Sequence, residues 1–436
     1  MEPARAVYTL LGAAALPWLP LRLWWRGRSE PGYRQDIAER FGRYGAGTSR
    51  ADAGLLWLHA VSVGETRAAA PLVQRLRRAY PGATILMTHM TATGRATGRA
   101  LFGDQIVQAW LPYDIPVAVR AFYNHFRPVA GFLLETELWP NLVAEAHALQ
   151  IPVYLVNARL SERSARGYAR FAAITRPMLG RLAGVTAQSD ADAARLSALG
   201  APAPIVTGNL KFDVSVPPEA IGLAADLRRR YGASRPIWVA ASTRDGEEAL
   251  ILDALARRPL PKETLLVIVP RHPQRFAAVG ELLRSRGIPF VRRSDRDAKP
   301  VMADVAVVLG DSMGEMLAYY AAADLAFVGG SLLPLGGQNL IESLAVGTPV
   351  LIGPHTFNFA DASQGAIEAG AAERVRDANA LVDKVATLLD DHARRAAMSQ
   401  AARTFHALHA GAADRLWDWL APRLPAPDGL SRRGSG

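Results

Sequence analysis

The 436-residue chain contains no cysteine, which excludes disulfides, thiolate zinc sites and thiol nucleophiles. It has no Lys/Arg-rich tail and no recognisable base-reading motif. Its surplus of 50 Lys+Arg over 40 Asp+Glu is therefore dispersed and does not read as a nucleic-acid footprint. It carries no short-period repeat and no low-complexity array. What is present is a half-hydrophobic chain of ordinary charge density, too long for one efficient core, so two domains are expected. The formal net charge of +10 favours anionic partners such as phosphates or acidic lipids without choosing among them.

The N-terminal stretch departs from the soluble pattern. It runs uncharged from Ala6 to Leu21, short of the ~20 apolar residues of a spanning helix, and contains Pro17 and Pro20. Trp18, Trp24 and Trp25 then meet Arg22, Arg26 and Arg28, the composition of an apolar anchor reaching the headgroup region. Ala13 to Ala15 could imitate a signal-peptide cleavage site, but the apolar stretch before them is too short, so an anchor over residues 1–30 is the preferred reading.

From Leu55 onward, short strand-like runs alternate with helical patterns, which predicts parallel βαβ units. The alternation lapses in "GNLKFDVSVPPEAIG" and restarts at "PIWVAAS". The reading is two Rossmann-like domains, residues 31–207 and 236–425, a linker over 208–235 and a tail over 426–436, with ligands expected in the cleft between the domains. The helical stretch from Asn379 to Leu420 is a candidate to pack back across the first domain.

Several strand ends carry chemistry. In "LLWLHAVSVGE", Glu65 follows a strand and precedes a helix, on the edge where doubly wound sheets bind ligands. It reads either as a first-turn residue favoured by the helix dipole or as a general base needing a pKa moved toward neutrality. Gly64 would let the chain turn and let another group approach the backbone closely. "FLLETELWPNL" repeats the arrangement with Glu135 and Glu137 before the helix that Pro140 begins. "VAASTRDGEEAL" places Ser242, Thr243 and Arg244, and "IVPRHPQRF" places Arg271 and His272, where N–H groups and cations suit a phosphate or carboxylate. No second His or paired Asp stands at ligand spacing beside His272. In "GGSLLPLGGQNLIES", glycine-permitted backbone donors precede Asn339 and Glu342, a nucleotide-sugar pattern. His59 and His89 read as core or surface residues, and His355 is the best placed of the histidines for a ligand.

Taken in order, "RLWWRGR", "SVGE", "ETELWPN", "GNLKFD", "PRHP", "GDSMGE", "GGQN" and "GPHTFNF" resemble the 3-deoxy-D-manno-octulosonic acid (Kdo) transferases of lipopolysaccharide synthesis, inverting glycosyltransferases of the GT-B class. The resemblance covers nearly the whole chain. It implies an α/β GT-B fold with an N-terminal membrane-associating segment, CMP-Kdo as donor, the lipid A precursor (lipid IVA) as acceptor, and the cytoplasmic face of the inner membrane as location. It implies no metal, no cofactor and no nucleic-acid partner.

Carried over residue by residue, the resemblance makes Glu65 the general base, with Glu137 and Gly64 on the acceptor side. Lys211 would stand near the donor carboxylate or phosphate. Arg244, with Ser242, and Arg271 would contact the donor phosphate, Pro273 would belong to the donor site, and Met313, Gly314, Glu315, Gly330, Ser331 and Asn339 would line the cytidine pocket, with Glu342 on the ribose. One departure is that Ser343 stands where the family has proline. The competing readings are a GT-B transferase using a UDP- or GDP-sugar, a nucleotide-sugar epimerase, and a tethered binding protein without chemistry.

Overall fold

The computed structural model describes residues 2–28, 30–45, 54–295 and 300–426, so the expected tail lies outside the described residues apart from Ala426. The chain divides into two units, Met1–Asp213 with Gly411–Gly436, and Val214–Ala410.

Among the described residues of the first unit a seven-stranded sheet is built from β1 (Leu55–His59), β2 (Thr84–His89), β3 (Val107–Trp110), β4 (Ala130–Leu134), β5 (Val153–Ala158), β6 (Gly184–Ala187) and β7 (Ile205–Val206). The strand order is β3-β2-β1-β4-β5-β6-β7, and every pairing is parallel. Because helices cover both faces, the central strands β1, β4 and β5 are buried throughout, and successive side chains feed opposite cores. Leu55 and Trp57 enter one core and Leu56 and Leu58 the other.

The second unit repeats the plan with β8 (Ile237–Thr243), β9 (Leu265–Pro270), β10 (Phe290–Arg292), β11 (Val307–Leu309), β12 (Leu325–Val328), β13 (Val350–Ile352) and β14 (Ala372–Arg374), in the order β10-β11-β9-β8-β12-β13-β14. Trp238 and Ala240 again face one core, Ile237, Val239 and Ala241 the other. Each sheet therefore reverses its strand order once, between β1 and β4 and between β8 and β12. The loops leaving these strands flank the crevice in which doubly wound sheets bind ligands.

The unit boundaries differ from the sequence expectation. The expected linker over 208–235 contains the helix Pro218–Tyr231, whose Ala224, Leu227 and Tyr231 enter a core of the second unit. Pro217 and Pro218, read as linker residues, are a helix start signal, with Pro218 at the first helical position. At the other end, residues 411–426 return to the first unit, where Leu416 and Leu420 of the helix Ala412–Leu420 pack with Leu56 and Leu58. Asp213 fixes that return by accepting N–H bonds from Gly411 (2.6 Å), Ala412 (3.2 Å) and Ala413, an anion seated on a helix N-terminus.

The N-terminal segment is helical over Pro3–Ala15, Leu16–Trp18 (a 3₁₀ turn) and Leu19–Arg26, with Pro17 and Pro20 in first turns that tolerate them. Pro3–Arg26 is long and apolar enough to be a candidate membrane-associating segment. One side of it is held to the first unit by Glu2–Arg181 (2.8 Å) and by Thr9 with the Asn141 amide (3.0 Å). Leu10, Leu11, Trp18, Leu21 and Trp25 face outward on the other, each more than half exposed.

Candidate active site

Glu65 is the third residue of the helix Val63–Ala68, which Ser62 caps: the Ser62 hydroxyl accepts from the Glu65 N–H (3.4 Å). The carboxylate folds back over this turn, Oε2 accepting from the Val61 N–H (2.6 Å) and Oε1 from the Ser62 hydroxyl (2.9 Å). Ser-x-x-Glu is the sequence pattern of a capping box, and here the carboxylate meets the N–H of Val61, one residue before the cap. The first-turn reading and the base reading are thus compatible, because a side chain bent over the first turn is also buried at the strand end.

Glu65 is 8 % exposed. Burial, then the charges of Glu135 and, last, Glu137 raise its pKa to about 7, against the opposing pull of the Val61 and Ser62 hydrogen bonds. A carboxyl poised there can take up a proton near neutral pH.

The loop after β4 supplies the neighbouring charges. Glu135 has a left-handed backbone (φ +58°), a conformation that costs a non-glycine residue energy and that the surroundings must hold. Its side chain pairs with Lys211 Nζ at 2.7 Å. The Lys211 stem passes beside Gly64, where a Cβ would stand 4.0 Å from Lys211 Cε. Gly64, Glu65, Glu135 and Lys211 thus form one constellation at the strand reversal, and Glu137, half-buried with its pKa raised first by desolvation, stands on the same loop. Gly64 has no positive φ, so the turn itself does not require glycine, contrary to the sequence expectation.

Lys211 is placed by a residue that sequence reasoning missed. Asn157, fully buried at the end of β5 with φ +54°, accepts the Leu210 N–H on its side-chain oxygen (2.9 Å). Asn209 then accepts the Lys211 N–H (3.0 Å). His59 and His89 lie in β1 and β2, fully buried, and desolvation lowers them to about 3 and about 4. They are neutral members of the core.

In the second unit the expected residues gather along the carboxyl edges of four neighbouring strands: Ser242 at the end of β8 and Arg244 just after it, Arg271 and Pro273 after β9, Met313, Gly314 and Glu315 after β11, and Gly330 to Glu342 after β12. Ser242 is left-handed (φ +54°), like Glu135 in the first unit. Gly329 is required by close approach, since a Cβ there would stand 2.6 Å from Thr243 Cα. Arg244, Arg271 and Arg275 surround His272, whose pKa falls first through desolvation and then through these three guanidinium charges. Arg271 donates to the Gln338 side chain (3.2 Å), and Asn339 joins Glu342 (3.1 Å) while accepting the Ile341 N–H (3.0 Å).

Two expectations change. The Gly330 and Ser331 N–H groups, expected to face a ligand, donate instead to Glu247, and Gly337 and Gln338 donate to the Gly330 and Gly329 carbonyls. Ser331 is fully buried, its hydroxyl donating to the Val328 carbonyl and accepting from the Gly353 N–H, bonds that tie the turn to the ends of two strands. Glu315 is paired with Arg293 (3.1 Å) and Ser312 (2.6 Å). Ser343, the departure from proline, is buried and donates to the Thr348 carbonyl (3.0 Å) in a helix that starts at Ile341. Among the described residues no group of three or more His, Asp or Glu side chains is placed to hold a metal ion.

Comparison with known proteins follows the same division. Residues 35–214 match the family model described as 3-deoxy-D-manno-octulosonic-acid transferase (kdotransferase), and residues 295–405 match glycosyl transferases group 1. The chain is 47% identical to the 3-deoxy-D-manno-octulosonic acid transferase of Bordetella pertussis, over 95% of this chain and 99% of that one. It is 39% identical to that of Haemophilus influenzae, over 90% of this chain and 92% of that one. In fold it is similar to Anabaena Alr3699/HepE in complex with UDP (TM-score 0.53, 15% identity, 85% of this chain and 99% of that one). It is also similar to a glycosyltransferase from Rickettsia africae (TM-score 0.55, 14% identity, 85% of this chain and 97% of that one). The last two likenesses show a GT-B fold.

Proposed function

The chain belongs to the 3-deoxy-D-manno-octulosonic acid transferase family, a glycosyltransferase family, and from that premise we propose that it moves Kdo from CMP-Kdo to a hydroxyl of the lipid A precursor with inversion at the anomeric carbon. The observation that carries the reading is Glu65, a buried carboxyl raised to about 7 at the strand reversal of the first unit.

In the proposed reaction the Glu65 carboxylate accepts the proton of the acceptor hydroxyl. The acceptor oxygen bonds to the anomeric carbon of Kdo on the face opposite the phosphate. The bond from that carbon to the phosphate oxygen breaks, and its electron pair leaves with CMP. The growing phosphate charge is met by Arg244 and Arg271, and Lys211 answers the negative charge of the donor. Glu137 orients the acceptor beside the base. Glu342 and Asn339, already joined, receive the nucleoside. The reading needs no cofactor beyond the donor itself.

Arg244→Ala is expected to raise KM for CMP-Kdo and weaken CMP binding by roughly 10–100-fold, the loss of one charge-assisted contact, with KM for the acceptor unchanged. Calorimetric titration with CMP and with UDP checks both the residue and the donor. Stronger binding of UDP would move the assignment to another nucleotide sugar.

The proposed location is the cytoplasmic surface of the inner membrane, and the N-terminal segment supports the membrane association that this location requires. Its polar contacts tie it to the first unit while its apolar side and tryptophans face outward, the arrangement of a helix lying in the interface plane. Deleting residues 1–28 is expected to shift the protein from membranes to the soluble fraction while largely preserving transfer to a detergent-solubilised acceptor. Unchanged recovery with membranes contradicts this role.

A further inference from the structure

We propose that Glu247 is a positioning residue for the donor site: a built-in anion that holds the Gly330–Leu332 turn and the Arg244 backbone in donor-binding shape. The proposal rests on the donor-site reading of the second unit.

Glu247 opens the helix Glu247–Arg257 after β8 and is fully buried. Its Oε2 accepts from the N–H groups of Gly330 (2.6 Å) and Arg244 (2.9 Å), and its Oε1 from those of Ser331 and Leu332 (3.0 Å each). Three successive N–H groups converging on one anion form a nest, the arrangement that elsewhere receives a ligand's phosphate. Here the nest is filled from within the chain. Gly330, at φ +69°, provides the curvature, and Gly329 admits the end of β8 against it.

The single carboxylate therefore stitches together the two loops that flank the strand reversal. The adjacent Glu248 does different work, binding the Thr243 hydroxyl (2.6 Å) and Arg275 (2.6 Å). Arg271 is attached to the same frame through its N–H to the Thr243 carbonyl (2.9 Å). Displacing Glu247 would thus release the backbones from which both phosphate-facing guanidiniums are aimed, although Glu247 touches no part of the donor.

The test uses the full-length protein and the variants Glu247→Gln, Glu247→Asp and Glu247→Ala. Gln keeps the shape but turns an NH2 toward donors that need an acceptor, so CMP affinity is expected to fall on the order of 10–100-fold. KM for CMP-Kdo should rise in step and KM for the acceptor should not. Asp keeps the charge at shorter reach and should lose less. Ala leaves an empty nest that formate can enter, so added formate should restore CMP binding and raise the Tm of Glu247→Ala while leaving wild type unaffected. If the Ala variant is recovered only when refolded in formate, that dependence is the same result.

Wild-type CMP affinity in folded Glu247→Gln, or an Ala variant indifferent to formate, overturns the proposal. Wild-type protein that binds no CMP, beside an Ala variant whose Tm still responds to formate, would contradict the donor reading and leave the clamp standing.

Discussion

Glu65→Gln is expected to lower kcat for transfer by roughly 10²–10⁴-fold, the usual contribution of a positioned base, while leaving CMP binding at its wild-type value. The amide fits the site. Its oxygen can accept from the Val61 N–H, as the carboxylate does now, and its NH2 can donate to the Ser62 hydroxyl, which reverses its role.

The same substitution should make the protein more stable at alkaline pH. The folded Glu65 carboxyl is raised from 4.5 to about 7. Between those values the folded state holds a proton the unfolded chain has lost, so stability falls as pH rises through that window and stays lower above it. The cost is about 3 kcal/mol for a shift of this size in a buried group. Urea unfolding should find Glu65→Gln more stable than wild type near pH ~8 and equal to it near pH ~4. A variant that keeps its activity, or one destabilised at both pH values, assigns Glu65 to helix capping alone.

Gly353→Ala is the second large effect. Gly353 follows β13 and its backbone is not left-handed, so the requirement is purely steric. An added Cβ would stand 2.2 Å from the Ser331 carbonyl oxygen, 2.3 Å from its carbon and 2.6 Å from Leu332 N. All three are backbone atoms, and the turn they belong to is held on its other side by Glu247. The methyl therefore has no side chain to push aside. Overpacking of this kind typically costs about 1–3 kcal/mol, more where backbone must move, and here the displaced segment is the loop we propose for the donor. The variant is expected to unfold at lower urea concentration and to bind CMP at least ~10-fold more weakly, a change equivalent to ~1.4 kcal/mol. Wild-type stability together with wild-type CMP affinity would show that the loop can yield.

The sequence pattern disclosed the parts of this site that depend on local order. Strand-then-glutamate at Glu65 and Glu135, and strand-then-arginine at Arg244 and Arg271, are readable because a doubly wound sheet places its ligands at strand ends whatever lies further along the chain. The motif segments keep their order, so the family resemblance was legible as well. What stayed hidden depends on partners far apart in sequence. Glu247 looks like ordinary helix-start acidity in "RDGEEAL"; its burial is decided by Gly330, 83 residues away. Asn157 looks like a strand end until Leu210, 53 residues on, is seen to donate to it. The Asp213 of "GNLKFD" read as a linker residue, yet it receives the helix that returns after residue 410, 198 residues later. The same partner problem reversed the reading of the Gly330 loop: glycine spacing shows that N–H groups converge but not whether the anion they meet is a ligand or a side chain of the chain itself.

The most direct test of the account is the pH profile of kcat/KM for Kdo transfer from CMP-Kdo to the lipid A precursor by the wild-type protein, since that ratio reports the ionisation of the free enzyme. The account predicts activity that rises through a single ionisation near pH 7, where Glu65 loses its proton, and then stays level. A profile already level well below that point, or no transfer from CMP-Kdo at any pH, would contradict it.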